Sequence, residues 1–151
     1  MTTGRDSAAG LLARAISIAA EAHGEQVDKA GAPYILHPLR VMLAVQTDEQ
    51  RLAAVLHDVL EDTSVDLDRL AAEGIPESVR VALVALTKTK GELRVDAARR
   101  AARNPIARAV KLADVTDNMD LGRLGRAPGP ADLERMKEYE QVREILLSFR
   151  P

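Results

Sequence analysis

Three observations predict an all-α fold, a single bundle of helices. Aromatic residues make up only 2 % of the chain, so the core must be built from Leu, Val, Ala and Ile, and Ala- and Leu-rich segments favour helix. Apolar residues recur at helical spacing, and no pair of alternating strands is visible. Proline and glycine separate these segments. With 151 residues, the chain suits one domain over residues 1–151.

The first predicted helix covers about Asp6 to His23, and Gly24 is placed to end it. Gly31 and Pro33 mark the segment that follows as a loop. The apolar stripe of the helix consists of Leu11, Leu12, Ala15, Ile16, Ala19 and Ala20.

The second helix begins within "LHPLRVMLAV", where Pro38 falls in the first turn, a position that tolerates proline. A third helix is predicted to be capped by Thr47 or Asp48 and to run through Leu60. Ser64 is placed to cap a short fourth segment.

Four further helices are predicted in the second half of the chain. Pro76 opens the fifth, and the sixth covers roughly Glu92–Arg103. Asn104 and Pro105 break the chain and start the seventh, and the last begins at about Ala131. The apolar positions of this last helix, which we expect to face the core rather than a second copy of the chain, are Leu133, Met136, Tyr139, Val142, Ile145, Leu146 and Phe149.

Composition excludes several classes of protein. A formal net charge of −2 provides no broad basic surface for nucleic acid. Cysteine is absent, which excludes disulfides and thiolate metal sites. No apolar run approaches the roughly 18 residues that span a membrane. The opening "MTTGRDSAAG" lacks a basic segment followed by an apolar one, so we expect a cytoplasmic protein.

The segment "AVLHDVLEDT" places four ionisable side chains in a strongly apolar stretch. His57 and Asp58 are adjacent, so on a helix they project about 100° apart and can reach one ion from its side. Glu61 and Asp62 follow one turn later. Alone, a His-Asp pair is usually a helix-end ion pair beside a solvated loop. The apolar flanks favour another interpretation, because buried charges need partners or a metal.

A second polar group lies in "AVKLADVTDNMDL", where Asp114 follows an apolar run. The simpler interpretation is that Asp114 and Asp117 cap or decorate a helix. Together with His37, His57 and Asp58, however, Asp114 completes a set of two imidazoles and two carboxylates from three helices. Without a thiolate, that set suits a borderline divalent ion such as Mn²⁺, Fe²⁺ or Zn²⁺.

Three segments resemble the HD-domain metal-dependent phosphohydrolases, and more specifically the small Rel/Spo alarmone hydrolases. "HGEQVDKAGAPYILHP" is similar to that family's H-x-x-Q-x-x-K-x-G-x-P-Y-x-x-H-P. "AAVLHDVLEDT" resembles A-x-L-H-D-x-x-E-D-T, and "VKLADVTDNM" resembles V-K-L-A-D-x-x-x-N-M/L. The segments occur in family order. They imply an HD domain of roughly eight to ten helices.

The resemblance implies hydrolysis of the 3′-pyrophosphate of (p)ppGpp, which yields GDP or GTP and pyrophosphate. Glu61 and Asp62 match the acidic pair that orients or deprotonates the attacking water. The implied ligands of one Mn²⁺ are His37, His57, Asp58 and Asp114.

The resemblance also implies a nucleotide site. Lys29 and Tyr34 match residues that line it, and Asn118 matches a residue at the sugar or the 5′ side. Lys111 is a second candidate for neutralising phosphate charge. Simpler roles remain open: core packing for Tyr34, and a packing or surface position for Lys111. His23, before Gly24 at a helix end, is expected to be structural.

The chain departs from the family pattern at three positions. Asp28 stands where the family usually has an arginine that stacks on guanine, and Val115 and Asp120 stand where basic residues are frequent. Two alternatives therefore stay open: a hydrolase of another nucleotide (pyro)phosphate, such as a phosphorylated dinucleotide cofactor, and a nucleotide-binding module without turnover. The oligomeric state also stays open. Cations that could replace the missing ones are Lys90, Arg123 and Arg126.

Overall fold

A computed structural model describes residues 7–151, and over this range the predicted all-α fold is confirmed. The only β-type pairing in this range is an isolated bridge between Val27 and Pro33. None of the helices in this range combines the length and the apolar character needed to cross a membrane. The elements are α1 (Ala8–His23), α2 (Leu36–Ala44), α3 (Asp48–Leu56), α4 (Val59–Asp62), α5 (Leu67–Ala72), α6 (Glu77–Leu86), α7 (Arg94–Ala102), α8 (Pro105–Asn118), a 3₁₀ turn (Leu121–Leu124) and α9 (Pro130–Ser148).

The first helix begins and ends at residues suited to those positions. The Ser7 side chain accepts a hydrogen bond from the Gly10 N–H at 3.0 Å. Gly24 ends the helix with φ of 50°, a positive value that a side chain would resist. The predicted start at Asp6 lies outside the described residues.

The predicted cap of α3 is confirmed, whereas the predicted cap of α5 is wrong. Thr47 and Gln50 form a reciprocal capping box at the start of α3, as one of the two predicted caps requires. Ser64 does not cap the following helix. That helix begins two residues later than expected, and the Asp66 side chain caps it by accepting from the Arg69 N–H at 2.9 Å.

The predicted continuation of α3 through Leu60 is wrong, since the helix ends at Leu56. The imidazole Nδ1 of His57 donates to the carbonyl oxygen of Ala54 at 2.6 Å, and the His57 N–H also points to that oxygen at 3.4 Å. Asp58 then adopts φ −103° and ψ −5°, near the bridge region. This tightened turn directs His57 and Asp58 toward α2 and α8 rather than along a continuous helix.

The later boundaries agree with prediction to within about two residues. Pro76 precedes the first residue of α6, and α9 begins at Pro130. Asn104 caps α8 by accepting from the Ala107 N–H at 2.9 Å. The predicted sixth helix is shorter than expected and covers Arg94–Ala102.

Helix α3 is the central element of the larger core, packing against α1, α2, α6 and α8. Its residues 52–56 are buried, and Val59 just after them is fully buried. An apolar centre of this kind holds the end of α3 in place, because burial of each such side chain contributes roughly 1.5–3 kcal/mol.

A smaller core joins α7, α8 and α9. The predicted apolar face of α9 is confirmed at Val142 and Leu146, which are buried there, whereas Leu133 is 51 % exposed. Met136 faces a cavity described below. Tyr139 and Ile145 of α9, and Phe149 directly after it, pack partly buried against this core.

Arg100 and Glu92 close the segment between α6 and α7. The Arg100 guanidinium donates to the carbonyl oxygens of Val84 and Thr87 at 3.0 and 2.8 Å and to the Glu92 carboxylate at 2.8 Å. Glu92 also accepts from the Thr89 N–H at 3.0 Å. These bonds satisfy carbonyls at the end of α6 and order the loop that precedes α7.

The hydrogen bond from Arg100, with help from the Thr89 N–H, lowers the pKa of Glu92 from its ordinary 4.5 to about 2. The ionised Glu92 therefore stabilises the fold above about pH 4.5, and this contribution is lost as the pH falls toward 2. We expect the free energy of unfolding of Glu92→Gln to be lower than that of the natural chain at pH 7, with the gap closing toward pH 2. Urea titrations from pH 7 to pH 2 measure the gap. Glu140→Gln, at an exposed position of α9, is the control and should show no such trend.

Candidate metal centre and adjoining cavities

The structure brings together the two histidines and two carboxylates that the sequence singled out. His37 lies in the first turn of α2, His57 and Asp58 at the junction of α3 and α4, and Asp114 on α8. The Nε2 atoms of His37 and His57 lie 2.9 and 3.4 Å from Asp114 Oδ1. Asp58 Oδ2 lies 3.0 Å from His57 Nε2 and 4.0 Å from His37 Nε2. All four side chains are largely removed from water, so their interactions are strong.

The outer nitrogens of both imidazoles are engaged away from this cluster. His57 Nδ1 donates to the Ala54 carbonyl oxygen at 2.6 Å. His37 Nδ1 lies 2.6 Å from Asp117 Oδ2, and an ionised carboxylate can only accept, so Nδ1 is the donor. In the neutral imidazoles this assignment leaves a lone pair on each Nε2, which faces the carboxylates.

This donor set fits a divalent cation. His57 Nε2 is buried and makes no hydrogen bond to any residue of the described range, although Asp58 Oδ2 is 3.0 Å away. Lone pairs that face carboxylate oxygens repel one another unless a positive charge lies between them. The candidate ligand atoms of His37, His57 and Asp58 all lie within 4.8 Å of one another, close enough to share one ion.

The pKa shifts of the cluster indicate the same need for a positive charge at its centre. Burial alone would lower the pKa of His57, but Asp58 and Asp114 outweigh it and hold that pKa well above its usual range. Burial would raise the pKa of Asp114, yet Lys111 and His57 hold it well below its usual range. The carboxylates are therefore ionised at neutral pH, and the cluster favours a positive charge at its centre.

Tyr34, Lys111 and Asn118 contact the carboxylates of this cluster directly. The Tyr34 hydroxyl donates to Asp58 Oδ2, and burial together with the Asp58 charge raises the tyrosine pKa, so the hydroxyl stays a donor. Lys111 Nζ lies 2.9 Å from Asp114 Oδ2. Asn118 Nδ2 donates to Asp114 Oδ1 at 3.2 Å, consistent with the predicted shared helix face. Core packing for Tyr34 and a packing or surface position for Lys111 do not account for these contacts with the cluster carboxylates.

Glu61 and Asp62 differ in their surroundings. Glu61 faces a cavity lined by cations, and its pKa is raised by burial, by Asp62 and by Asp58. The pKa of Asp62 is raised by burial and by Asp58, and its backbone carbonyl accepts from the Gln26 side chain at 3.2 Å. Both carboxyls thus hold protons more readily than an exposed acid does.

Two cavities open beside the cluster. The loop cavity, of about 340 Å³, lies between residues 27–34, the segment after α8 and the first half of α9. The cationic cavity, of about 260 Å³, lies between α4, α7, α8 and α9. Asn118 and Tyr139 line both cavities and so form their common wall. The charged residues of the cationic cavity are Glu61, Lys88, Arg94 and Lys111.

Lys29, predicted to line a nucleotide site, lines the loop cavity. Its pKa is lowered by burial and by the charges of Arg135 and Arg94. Beside it, Asp28 Oδ1 accepts from the backbone N–H groups of Ala30 and Ala32 at 2.9 Å each, so the residue at the departure from the family pattern organises the loop.

The other cations and the remaining histidine are placed as follows. Arg123 lines the loop cavity, whereas Arg126 pairs with Asp132 at 2.7 Å and Lys90 is exposed. His23 is buried, and its Nδ1 lies 3.0 Å from the Gln26 side-chain oxygen, in keeping with a structural role.

Sequence reasoning considered Asp117 only as a residue that caps or decorates a helix, and it missed Arg94 and Arg135. Asp117 contacts His37, and the available signal was its position three residues after Asp114 on the same helix. Arg94 lies over the Tyr139 ring at 5.1 Å, and Arg135 lines the loop cavity. Nothing in the sequence could have associated α7 and α9 with α2, since only packing brings them to the same site.

Comparison with known proteins gives consistent findings. The chain is 46 % identical over 61 residues to guanosine-3′,5′-bis(diphosphate) 3′-pyrophosphohydrolase of Aquifex aeolicus, covering 38 % of this chain and 9 % of that protein. It is 32 % identical over 155 residues to a probable GTP pyrophosphokinase of Mycobacterium leprae, covering 93 % of this chain and 18 % of that protein. The chain thus spans less than a fifth of these relatives. No protein-family model matches it.

A solved structure shares the fold. The structure of a metazoan ortholog of SpoT that hydrolyzes ppGpp superposes with a TM-score of 0.77 at 23 % identity, over 91 % of this chain and 85 % of that one. The chain therefore shares the helical fold of that protein. Its similarity to proteins named guanosine-3′,5′-bis(diphosphate) 3′-pyrophosphohydrolase confirms the resemblance of its motif segments to the Rel/Spo-type alarmone hydrolases.

The hydroxyl of Tyr34 should stabilise the ionised Asp58. We expect Tyr34→Phe to lower the free energy of unfolding by about 1.5–3 kcal/mol, the range for hydrogen bonds to charged groups. Urea unfolding at pH 7 measures the change. Tyr139→Phe is the matched control, because it keeps the ring over which Arg94 lies. Equal stability of Tyr34→Phe and the natural chain would contradict the stabilising role of this bond.

Proposed function

We propose that this protein hydrolyses the 3′-pyrophosphate of guanosine tetra- or pentaphosphate and releases pyrophosphate with GDP or GTP. The observation that carries the proposal is the meeting of the candidate ligand atoms of His37, His57 and Asp58, with Asp114 Oδ1 within 3.4 Å of both imidazoles, beside a cavity lined by cations. It is supported by the relatives of Aquifex aeolicus and Borreliella burgdorferi, which are named guanosine-3′,5′-bis(diphosphate) 3′-pyrophosphohydrolases.

One divalent ion, in our proposal Mn²⁺, would be held by His37, His57, Asp58 and Asp114. When bound, such an ion supplies Lewis-acid polarisation of a phosphate oxygen and lowers the pKa of water. The protein contributes imidazoles with Nε2 directed inward and carboxylates already ionised, and a bound ion would take the place of the proton on each Nε2. Lys111 donates to the second oxygen of Asp114, Oδ2, whereas Tyr34 donates to Asp58 Oδ2, the oxygen that faces His57 Nε2, and so orients it.

Glu61 is the proposed proton acceptor for the attacking water. Its carboxyl lines the cationic cavity, where a phosphate group would lie, and its raised pKa makes it a stronger base than an exposed glutamate. Asp62, whose backbone is tied to Gln26, is proposed to orient the water and to raise the proton affinity of Glu61.

Each of the two cavities would bind a different part of the substrate. Lys88, Arg94 and Lys111 in the cationic cavity would neutralise the charge of the 3′-diphosphate. The nucleoside and its 5′ side would lie in the loop cavity beside Lys29. Asn118, on the common wall, would contact the sugar between them. We also propose that residues 1–151 form one domain and that the protein acts in the cytoplasm.

Glu61→Gln tests the chemistry apart from metal binding. Removing a general base lowers kcat by roughly 10²–10⁴-fold, and we expect that loss for pyrophosphate release from ppGpp with Mn²⁺ present. Because Glu61 is not among the proposed ligands, Glu61→Gln should bind Mn²⁺ with the affinity of the natural chain. His57→Ala should lose both Mn²⁺ binding and pyrophosphate release. In the natural chain kcat/KM should fall as the pH drops through the raised pKa of Glu61.

Purified chain that binds Mn²⁺ and ppGpp but releases no pyrophosphate would replace this proposal with a nucleotide-binding module without turnover. Full activity of Glu61→Gln would overturn the role of Glu61 alone.

A second candidate substrate is favoured by Asp28. This carboxylate lines the loop cavity at the position where an arginine would stack on guanine, and a carboxylate provides no cation–π contact. The cavity would then accept another nucleotide (pyro)phosphate, such as a phosphorylated dinucleotide cofactor. A screen of nucleotides with phosphate and pyrophosphate readouts ranks the substrates by kcat/KM.

Asp28→Asn separates the charge of this residue from its loop contacts, because the amide oxygen can still accept from Ala30 and Ala32. If the carboxylate repels a phosphate-rich ligand, the KM for ppGpp should fall about 2- to 10-fold with kcat unchanged. Steady-state kinetics at low ionic strength measure the change, and 1 M salt should abolish it. An unchanged KM at low salt would show that Asp28 acts only on the loop.

A further inference from the structure

We propose that Asp117 is a positioning residue of the metal centre, which fixes the tautomer and orientation of His37 so that Nε2 faces the other ligands. The inference rests on the proposed metal site but concerns a residue for which neither the motifs nor the relatives provide a role. Asp117 falls at an unspecified position of V-K-L-A-D-x-x-x-N-M/L.

Helix α8 brackets the His37 ring with two carboxylates. Asp114 Oδ1 lies 2.9 Å from Nε2, and Asp117 Oδ2 lies 2.6 Å from Nδ1. The two residues are three positions apart, so they share one face of α8 and meet the ring from opposite sides. One carboxylate is placed among the candidate ligands, and the other lies behind the ring.

Two arginines hold Asp117 in this position. Arg40 donates from Nε to Oδ1 at 2.8 Å and from Nη2 to Oδ2 at 3.1 Å, a bidentate pair. Arg123 donates to the backbone carbonyl of Asp117 at 2.7 Å. Arg40 lies on α2 three residues after His37, so the same helix pair carries the ring and its support.

The contacts of Asp117 determine the direction of the hydrogen bond. Both of its carboxylate oxygens accept from the Arg40 guanidinium, as a carboxylate does in a bidentate pair. A carboxylate paired in this way is an acceptor, so the proton lies on Nδ1 and the lone pair of neutral His37 on Nε2. A carboxylate behind a ligating imidazole also raises its basicity, and loss of such a group typically weakens metal binding 10–100-fold.

Isothermal titration of the full chain with Mn²⁺ tests the inference. We expect Asp117→Ala to weaken Mn²⁺ binding 10- to 100-fold and Asp117→Asn, which keeps an acceptor for Nδ1–H, to restore most of it. Asp120→Ala is the matched control. Asp120 pairs with the same Arg123 at 3.1 Å, and none of its hydrogen bonds or ion pairs in the described range involves His37. Its affinity should stay within about twofold of the natural chain.

A spectroscopic readout separates orientation from stability. The visible absorption of the Co²⁺-loaded chain reports ligand number and geometry, and we expect Asp117→Ala to change its shape whereas Asp120→Ala preserves it. Asp117→Leu, of similar shape but without an acceptor, replaces the alanine variant if that variant fails to fold.

The outcomes distinguish this inference from the proposed function. Equal Mn²⁺ affinity of the natural chain and Asp117→Ala would overturn the positioning role and leave the metal site standing. Binding of Asp117→Asn as weak as that of Asp117→Ala would assign the effect to charge and also overturn it. A natural chain that binds no Mn²⁺ overturns the metal site itself, and the positioning role with it.

Discussion

The carboxylates and imidazoles of the cluster are buried where the apolar helix α3 ends. Burial of such polar groups costs free energy unless every group has a partner. Asp58 and Asp114 face the inner nitrogens of His37 and His57, with oxygen–nitrogen distances between 2.9 and 4.0 Å. A cation at the centre satisfies all of these atoms together. The helices around the cluster hold these carboxylate oxygens and imidazole nitrogens face to face.

The packing of α3 explains why the cluster stays together. A fully apolar stretch before His57 fixes the end of α3 against four other helices, and the tight turn at Asp58 redirects the chain. Contacts outside the cluster then fix three of the candidate ligands: Ala54 for His57, Tyr34 for Asp58 and Asp117 for His37. Preorganisation of this kind means that little order remains to be imposed when a ligand binds.

Local signals predicted much of the fold because they act over one turn of chain. Gly24, Thr47 and Asn104 punctuate helices through their own backbone preferences and hydrogen bonds, and each lies where the sequence placed it. The prediction failed at Leu60 because side-chain contacts of His57 ended α3 early. Ser64 failed as a cap because Asp66, two residues on, offered a competing acceptor.

The sequence by itself determined the all-α class, most helix boundaries and the residue types of the candidate metal centre, since apolar spacing and motif segments are properties of short stretches. Only the tertiary structure decided which atoms face one another. Packing of α2 against α8 gave Asp117 a partner 80 residues away, and packing of α7 and α9 against α8 brought Arg94 and Arg135 to the cavities. Such contacts depend on helix orientation, which a linear pattern does not encode.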